Sequence, residues 1–178
     1  NVVLGCAGDI PTLETVAAAH WLRENAPELK VRVVNVVDLM TLFPREFHPH
    51  GMDETRFVEL FTADKPVVFA FHGYQRAIHE IDHGHVDVDR FHVRGFSEQG
   101  TTTTPFDMVV LNRMSRYHLA AEALRRAGAA AGAASGWRSA DRAPTLISEC
   151  EAAIARATAY SREHFEDPPE ISDWTWTP

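Results

Sequence analysis

The sequence predicts one α/β domain built on a mostly parallel sheet flanked by helices. Three apolar, β-branched runs carry that prediction: Val2–Cys6, Val31–Val37 and Pro66–Phe71. They are near-continuous rather than alternating, as strands covered on both faces are. Amphipathic helical patterns separate them, and a length of 178 residues suits one domain.

Taken in order, Val2–Cys6 is the first strand, and Asp9 with Pro11 opens a helix after it. Leu13, Val16, Ala17 and Trp21 recur at helical spacing and form its expected core face. Pro27 stops that helix before the second strand, completing a βαβ unit with an expected right-handed crossover. Asp38–Gly51, rich in proline and histidine, reads as a loop with short helical turns. A helix over Asp53–Phe61 follows, then the third strand, then a helix over Tyr74–His83. Phe91–Phe96 alternates apolar and polar residues and is expected at a sheet edge. Thr104 with Asp107 forms a capping box, with Pro105 at the first helical position. Ser115 opens a further helix with Leu119, Ala120, Ala123 and Leu124 on one face.

Residues 1–127 are therefore expected to form the core domain. Residues 128–144, rich in alanine and glycine, read as a connector. Residues 145–178 hold a last helix and a tail whose Trp174 and Trp176 are expected to dock on this domain or a neighbour.

The balance of 17 basic against 25 acidic residues, net −8, argues against a nucleic-acid partner and an anionic membrane surface. No run approaches the ~18 apolar residues that span a bilayer. Cys6 and Cys150 lack CxxC spacing and read as reduced structural thiols, which places the protein in the cytoplasm. A chain that opens inside a strand reads as a piece of a longer protein.

Several motifs invite chemistry. His79-Glu80-Ile81-Asp82-His83 is a literal HExxH, whose histidines on one helical face could ligate zinc. The extended zinc signature fails, however, with Val86 and Asp89 at the decisive positions, and Gly84 ends the helix. His72, His85, His92 and Asp87 could add an adventitious metal site. Gly5-Cys6-Ala7-Gly8-Asp9 sits between strand and helix but spells GxxG, a tight turn rather than a dinucleotide fingerprint. The Thr101–Thr104 run could hold a phosphate at a helix start, but no basic residue adjoins it in sequence. No Ser-His-Asp or Cys-His arrangement follows from spacing, and GxSxG is absent.

Longer strings then become specific. Cys6–Thr15 (CAGDIPTLET), Val31–Met40 (VRVVNVVDLM) and Phe61–Tyr74 (FTADKPVVFAFHGY) resemble segments of phosphoketolases. So do His92–Phe96, Gly100–Asn112 (GTTTTPFDMVVLN) and the tail Arg162–Ile171 with Asp173-Trp174. The chain departs from the family pattern at Ile81–Asp89, where the HExxH match falls, and at Ala127–Ala143.

The resemblance implies the C-terminal domain of a thiamine-diphosphate-dependent phosphoketolase, similar to that of transketolase, with a roughly five-stranded sheet. Such enzymes cleave xylulose 5-phosphate or fructose 6-phosphate with inorganic phosphate, giving acetyl phosphate and an aldose phosphate. Thiamine diphosphate, Mg²⁺ and the catalytic histidines and glutamate belong to the other domains. The GDG…N motif is missing from this chain, and no catalytic, cofactor or metal residue carries over to it. The implied role is structural, against the other domains of the same polypeptide and a second subunit. The alternative is a regulatory module that binds a nucleotide or sugar phosphate at the strand ends. The candidate ligand or interface positions are Gly8, Asp9, Asp38, His72, Gly73, Tyr74, Thr101, Thr102, Thr103, Trp174 and Trp176.

Overall fold

In the computed structural model, which describes residues 1–85, 87–97, 100–129, 137 and 139–176, four strands pair in parallel. They are β1 (Val2–Ala7), β2 (Val31–Asn35), β3 (Val67–Phe71) and β4 (Phe91–Gly95), in the order β2-β1-β3-β4. The register sets Val3 beside Arg32 on one side and beside Val67 on the other. All four expected strands form, and β4 lies at an edge, as its alternation implies. Among the described residues the sheet has four strands rather than the five that the resemblance implies. After Gly95 the described residues pass through the threonine loop and then helices, and add no strand to the sheet.

Alternation along the strands divides the core in two. Val2, Leu4, Val68 and Ala70 face α1 (Asp9–Asn25), α5 (Arg116–Ala129) and α6 (Ala143–His164). Val3, Ala7, Val67, Phe69, Phe91 and Val93 face α2 (Glu54–Phe61) and α3 (Gln75–Ile81). The second layer is aromatic. Phe57, Phe61 and Phe69 are fully buried, and each burial contributes about 1.5–3 kcal/mol. Gly5 is required there, because a Cβ on it would come within 2.3 Å of the Phe69 ring. A smaller cluster joins Phe106 of α4 (Pro105–Leu111), Ala157 of α6 and Ile171 of α7 (Pro169–Ser172).

The local signals mostly hold. Asp53 caps α2 by accepting the Arg56 N–H, and Thr104 caps α4 by accepting the Asp107 N–H. Two details differ. Helix α1 starts at Asp9, so Pro11 is its third residue, still within the turn whose N–H groups have no helical partner. The expected face of α1 holds in part: Ala17 is buried and Trp21 packs against the core, but Leu13 is exposed and Glu14, Thr15, Ala18 and Leu22 join the buried side. The middle of the 128–144 connector lies outside the described residues; Gly128 and Ala129 close α5, and Ala143 opens α6.

No helix among the described residues is long and apolar enough to cross a membrane. Cys6 and Cys150 are buried free thiols, and burial pushes the Cys150 thiol up to about 12.

Candidate functional site

The strand order changes direction between β1 and β3, and open α/β sheets of this kind bind ligands outside the carboxyl ends of such strands. Four of the candidate residues meet there. Gly8 and Asp9 follow β1, and His72 and Gly73 follow β3. His72 Nδ1 lies 3.1 Å from Asp9 Oδ1, and the His72 N–H donates to the Ala7 carbonyl at 3.1 Å. The Ile10 N–H, with His72 adding, holds the Asp9 carboxyl below its ordinary range. Gly8 adopts φ 104°, and a Cβ there would come 2.6 Å from His72 Cβ. Phe96 packs edge-on to the His72 ring at 5.5 Å, and its N–H donates to the Gly73 carbonyl at 2.8 Å. The neighbouring hydroxyl, Thr12 Oγ1, is 2.5 Å from the Gly8 carbonyl. The strand ends are thus bonded to one another.

Asp38 and Tyr74 do not join this cluster through any hydrogen bond. Asp38 accepts the Met40 N–H at 3.0 Å and lies 3.3 Å from His50 Nδ1. Tyr74 sits at the start of α3 with its ring exposed.

The threonine loop lines a different feature, an open groove of about 800 Å³ between α4 and the end of α6. Thr103 Oγ1 donates to Asp107 Oδ2 at 2.5 Å, so the aspartate of the capping box reaches Thr103 rather than the cap residue. Folding brings the basic residue that sequence lacked: Arg162 lines the groove beside Thr102 and Thr103. It comes with three carboxylates, Asp107, Glu166 and Asp167, so the electrostatics oppose a phosphate. Thr101 is exposed and is not among the lining residues.

The HExxH segment does not lie on one helical face. Helix α3 ends at Ile81, two residues earlier than expected, so His79 is on the helix and His83 is beyond it. Both are exposed. Asp82 closes the helix with its N–H on the Ile78 carbonyl; it is fully buried, and neither carboxylate oxygen has a hydrogen-bond partner. Burial raises the Asp82 carboxyl to about 6, although His79, His85 and His83 pull it the other way. His85 is buried too, stacked on Phe57 at 3.8 Å, with Nδ1 2.9 Å from Glu54 Oε2 and Nε2 3.0 Å from the Leu42 carbonyl. His72 pairs with Asp9, His92 lies on β4 near Arg126 and Glu122, and Asp87 is exposed in a left-handed turn. Among the described residues no group of three or more histidine, cysteine, aspartate or glutamate side chains could hold a metal ion.

Sequence reading missed the polar groups that tie the helices together. Glu14 and Arg116 form a buried pair, with Nη2 to Oε1 at 2.6 Å and the Arg116 N–H to Oε2 also at 2.6 Å. The signal was present, since Glu14 falls four residues before Ala18 and eight before Leu22, on the buried stripe. The Arg116 guanidinium also lies 5.2 Å from the Trp174 ring. Trp176 packs against Arg23 at 5.0 Å. The tail therefore docks on α1 of its own domain. A single buried carboxylate, Glu122, gathers Arg126 at 2.8 Å, Arg94 at 3.2 Å and Arg125 at 3.6 Å. His118 lies 2.8 Å from Ser115 Oγ, and burial, with Arg113, Arg94 and Arg125 adding, pushes it down to about 4. Ser115 is fully buried, so the contact serves the start of α5.

The family model described as the XFP C-terminal domain matches residues 1–176. The chain belongs to this family. It is 51% identical to a probable phosphoketolase of Bradyrhizobium diazoefficiens across 99% of its own length and 21% of that protein's. It is 52% identical to one from Mycobacterium avium, covering all of this chain and 21% of the other. A probable phosphoketolase of Nocardia farcinica is 50% identical over 99% of this chain and 20% of its own length. The chain thus spans about a fifth of the relatives it matches. The family resemblance drawn from the CAGDIPTLET, VRVVNVVDLM and GTTTTPFDMVVLN strings is the family found.

Proposed function

We propose that this chain is the C-terminal structural and assembly domain of a phosphoketolase and catalyses no reaction by itself. The observation that carries the proposal is the coverage: half of the residues are identical over the whole chain, yet that chain is a fifth of each relative. The parent enzyme would cleave xylulose 5-phosphate or fructose 6-phosphate with phosphate in the cytoplasm, using thiamine diphosphate and Mg²⁺ held by its other domains. The polar groups at the strand ends are engaged with each other, which supports a packing role over the ligand-binding alternative. Val37 and Phe165, 90% and 87% exposed, are apolar surface that a neighbouring domain or second subunit would cover.

The test is acetyl phosphate formation by the isolated chain supplied with fructose 6-phosphate, phosphate, thiamine diphosphate and Mg²⁺. No product, together with an unmoved melting temperature on adding the cofactor, is expected. A melting temperature that rises with thiamine diphosphate, as ligand linkage requires of a binder, would overturn the reading.

A further inference from the structure

We propose that the outer edge of β2, with the apolar groove beside it, receives the segment that immediately precedes Asn1 in the parent polypeptide, bound as an added strand antiparallel to β2. The inference rests on the reading of the chain as the C-terminal domain of a longer phosphoketolase, in which the rest of the polypeptide joins at Asn1.

Strands β2 and β4 both end the strand order, but they are covered differently. Every residue of β4 is at least partly buried, whereas Arg32, Val33 and Asn35 of β2 are exposed, Val33 by 39%. A parallel strand is ordinarily covered on both faces, and the run Val31–Val37 has the composition of one. Two bonds fix which of its backbone groups face β1: the Val2 N–H donates to the Lys30 carbonyl at 3.3 Å, and the Val36 N–H to the Cys6 carbonyl at 2.8 Å. Parallel pairing alternates along a strand. Arg32, Val34 and Val36 therefore turn their N–H groups to β1, and Val31, Val33 and Asn35 turn theirs outward. No strand among the described residues pairs with that edge. An open edge is a template for strand addition.

The groove gives the added strand its chemistry. It encloses about 250 Å³ and is lined by Val31 and Val33 of β2, Ala19 and Arg23 of α1, Leu29 and Trp176. The one charged member, Arg23, lies against the Trp176 ring at 5.0 Å. Alternate side chains of an extended segment point to one face, so every second residue enters the groove and is apolar.

The position of Asn1 selects the occupant. Its nitrogen donates to the Lys30 carbonyl at 2.6 Å, and its Oδ1 accepts the Lys30 N–H at 2.8 Å, so the entering chain is held at the amino end of β2. In the parent that nitrogen is a peptide N–H and makes the same bond. Neighbouring strands lie about 4.8 Å apart, so the outer edge of β2 is about 10 Å from β1, which about three extended residues cover. A segment that arrives by so short a turn runs antiparallel to β2.

The test compares amide hydrogen exchange, followed by NMR, in the 178-residue chain and in the same chain extended by about a dozen of the residues that precede Asn1 in its own reading frame, enough for the turn and the strand. The extension should slow exchange at Val31, Val33 and Asn35 at least about tenfold relative to Arg32 and Val34, which already bond to β1. Val33→Lys in the extended chain puts a charge in the groove and should remove most of that protection, with an unchanged circular dichroism spectrum. If that variant fails to fold, the comparison of the two unmutated chains decides alone. Unchanged exchange at the three amides overturns the proposal. So does their protection in the 178-residue chain itself, growing with concentration, which would seat a second copy at the edge. The outcome is separable from the assembly reading, because thiamine diphosphate binding is read by melting temperature and the edge by exchange at single amides.

Discussion

Of the three acidic side chains buried among the described residues, Glu14, Asp82 and Glu122, the first two lie in opposite layers of the fold and are held in opposite ways. Glu14 enters from α1 and is 3% exposed; Asp82 lies at the end of α3 and is fully buried. Glu14 meets Arg116 through three hydrogen bonds, and Trp174 lies beyond the guanidinium. Asp82 meets no donor at either oxygen. A buried carboxylate is tolerated in one of two ways: it is paired and stays charged, or it is unpaired and takes up a proton more readily. The α1 layer follows the first route and the α3 layer the second. The first links α1, α5 and the tail, and the second makes the α3 end sensitive to pH.

Removing one partner of the first pair is the harshest way to break this comparison. Arg116→Ala leaves Glu14 charged and buried with only the residue 116 backbone N–H to accept from, so a loss of about 3–5 kcal/mol is expected in urea denaturation. Replacing both partners, as Glu14→Leu with Arg116→Met, should recover most of that loss, since well-packed apolar pairs often match a buried ion pair. A double variant as unstable as Arg116→Ala would show that the cost lies in packing rather than charge.

The Asp82 prediction has the opposite sign. Its carboxyl titrates at about 6 in the folded chain against 3.8 as the ordinary value, so between these the folded state binds the extra proton. Stability from this group is therefore present below about pH 4 and is lost as pH rises through 6, on the order of 3 kcal/mol in full. Asp82→Asn should match the wild type near pH 4 and exceed it by about 2 kcal/mol at pH 8. His118 tilts the other way. Held at about 4 against 6.5, it makes the folded state bind fewer protons in that window, so stability falls as pH drops through it. His118→Asn should flatten that slope by about 1 kcal/mol, less than the shift alone implies, because the ring is partly exposed and screened. Denaturation midpoints of both variants across pH 4–8 separate the two effects.

How legible each layer was follows from the same contrast. The strands could be read because runs such as Val67–Phe71 are apolar on both faces, a pattern that depends on no distant residue. Of the α1 face, Ala17 and Trp21 could be read, but the burial of Glu14 in place of Leu13 could not, because the partner of Glu14 is Arg116, 102 positions away. The end of α3 reads two residues late: a helix is expected to His83, and it ends at Ile81, with Asp82 as its buried cap. Proximity in space also supplied Arg162 to the threonine loop, some sixty residues along the chain. Of the candidate positions, Gly8, Asp9, His72 and Gly73 converge, since each directly follows a strand of the parallel sheet.

The smallest effects test the edge of the Glu14 layer, where the tail closes over it. Trp174 and Trp176 both face cations of this domain, at 5.2 Å from Arg116 and 5.0 Å from Arg23. The distances are alike but the surroundings are not. Arg116 is desolvated by Glu14 and the helices, so its attraction to the ring is little weakened by water. Arg23 is exposed, and Trp176 is 47% exposed. Trp174→Ala should therefore cost about 2 kcal/mol and Trp176→Ala about 0.5, measured by chemical denaturation followed by circular dichroism. Trp174→Ala should also lose its effect in the Glu14→Leu, Arg116→Met background, where the guanidinium is gone. Equal costs for the two tryptophans in the isolated chain would mean that the tail is held by area alone. The Glu14–Arg116 pair would then end at α5 instead of reaching the C-terminus.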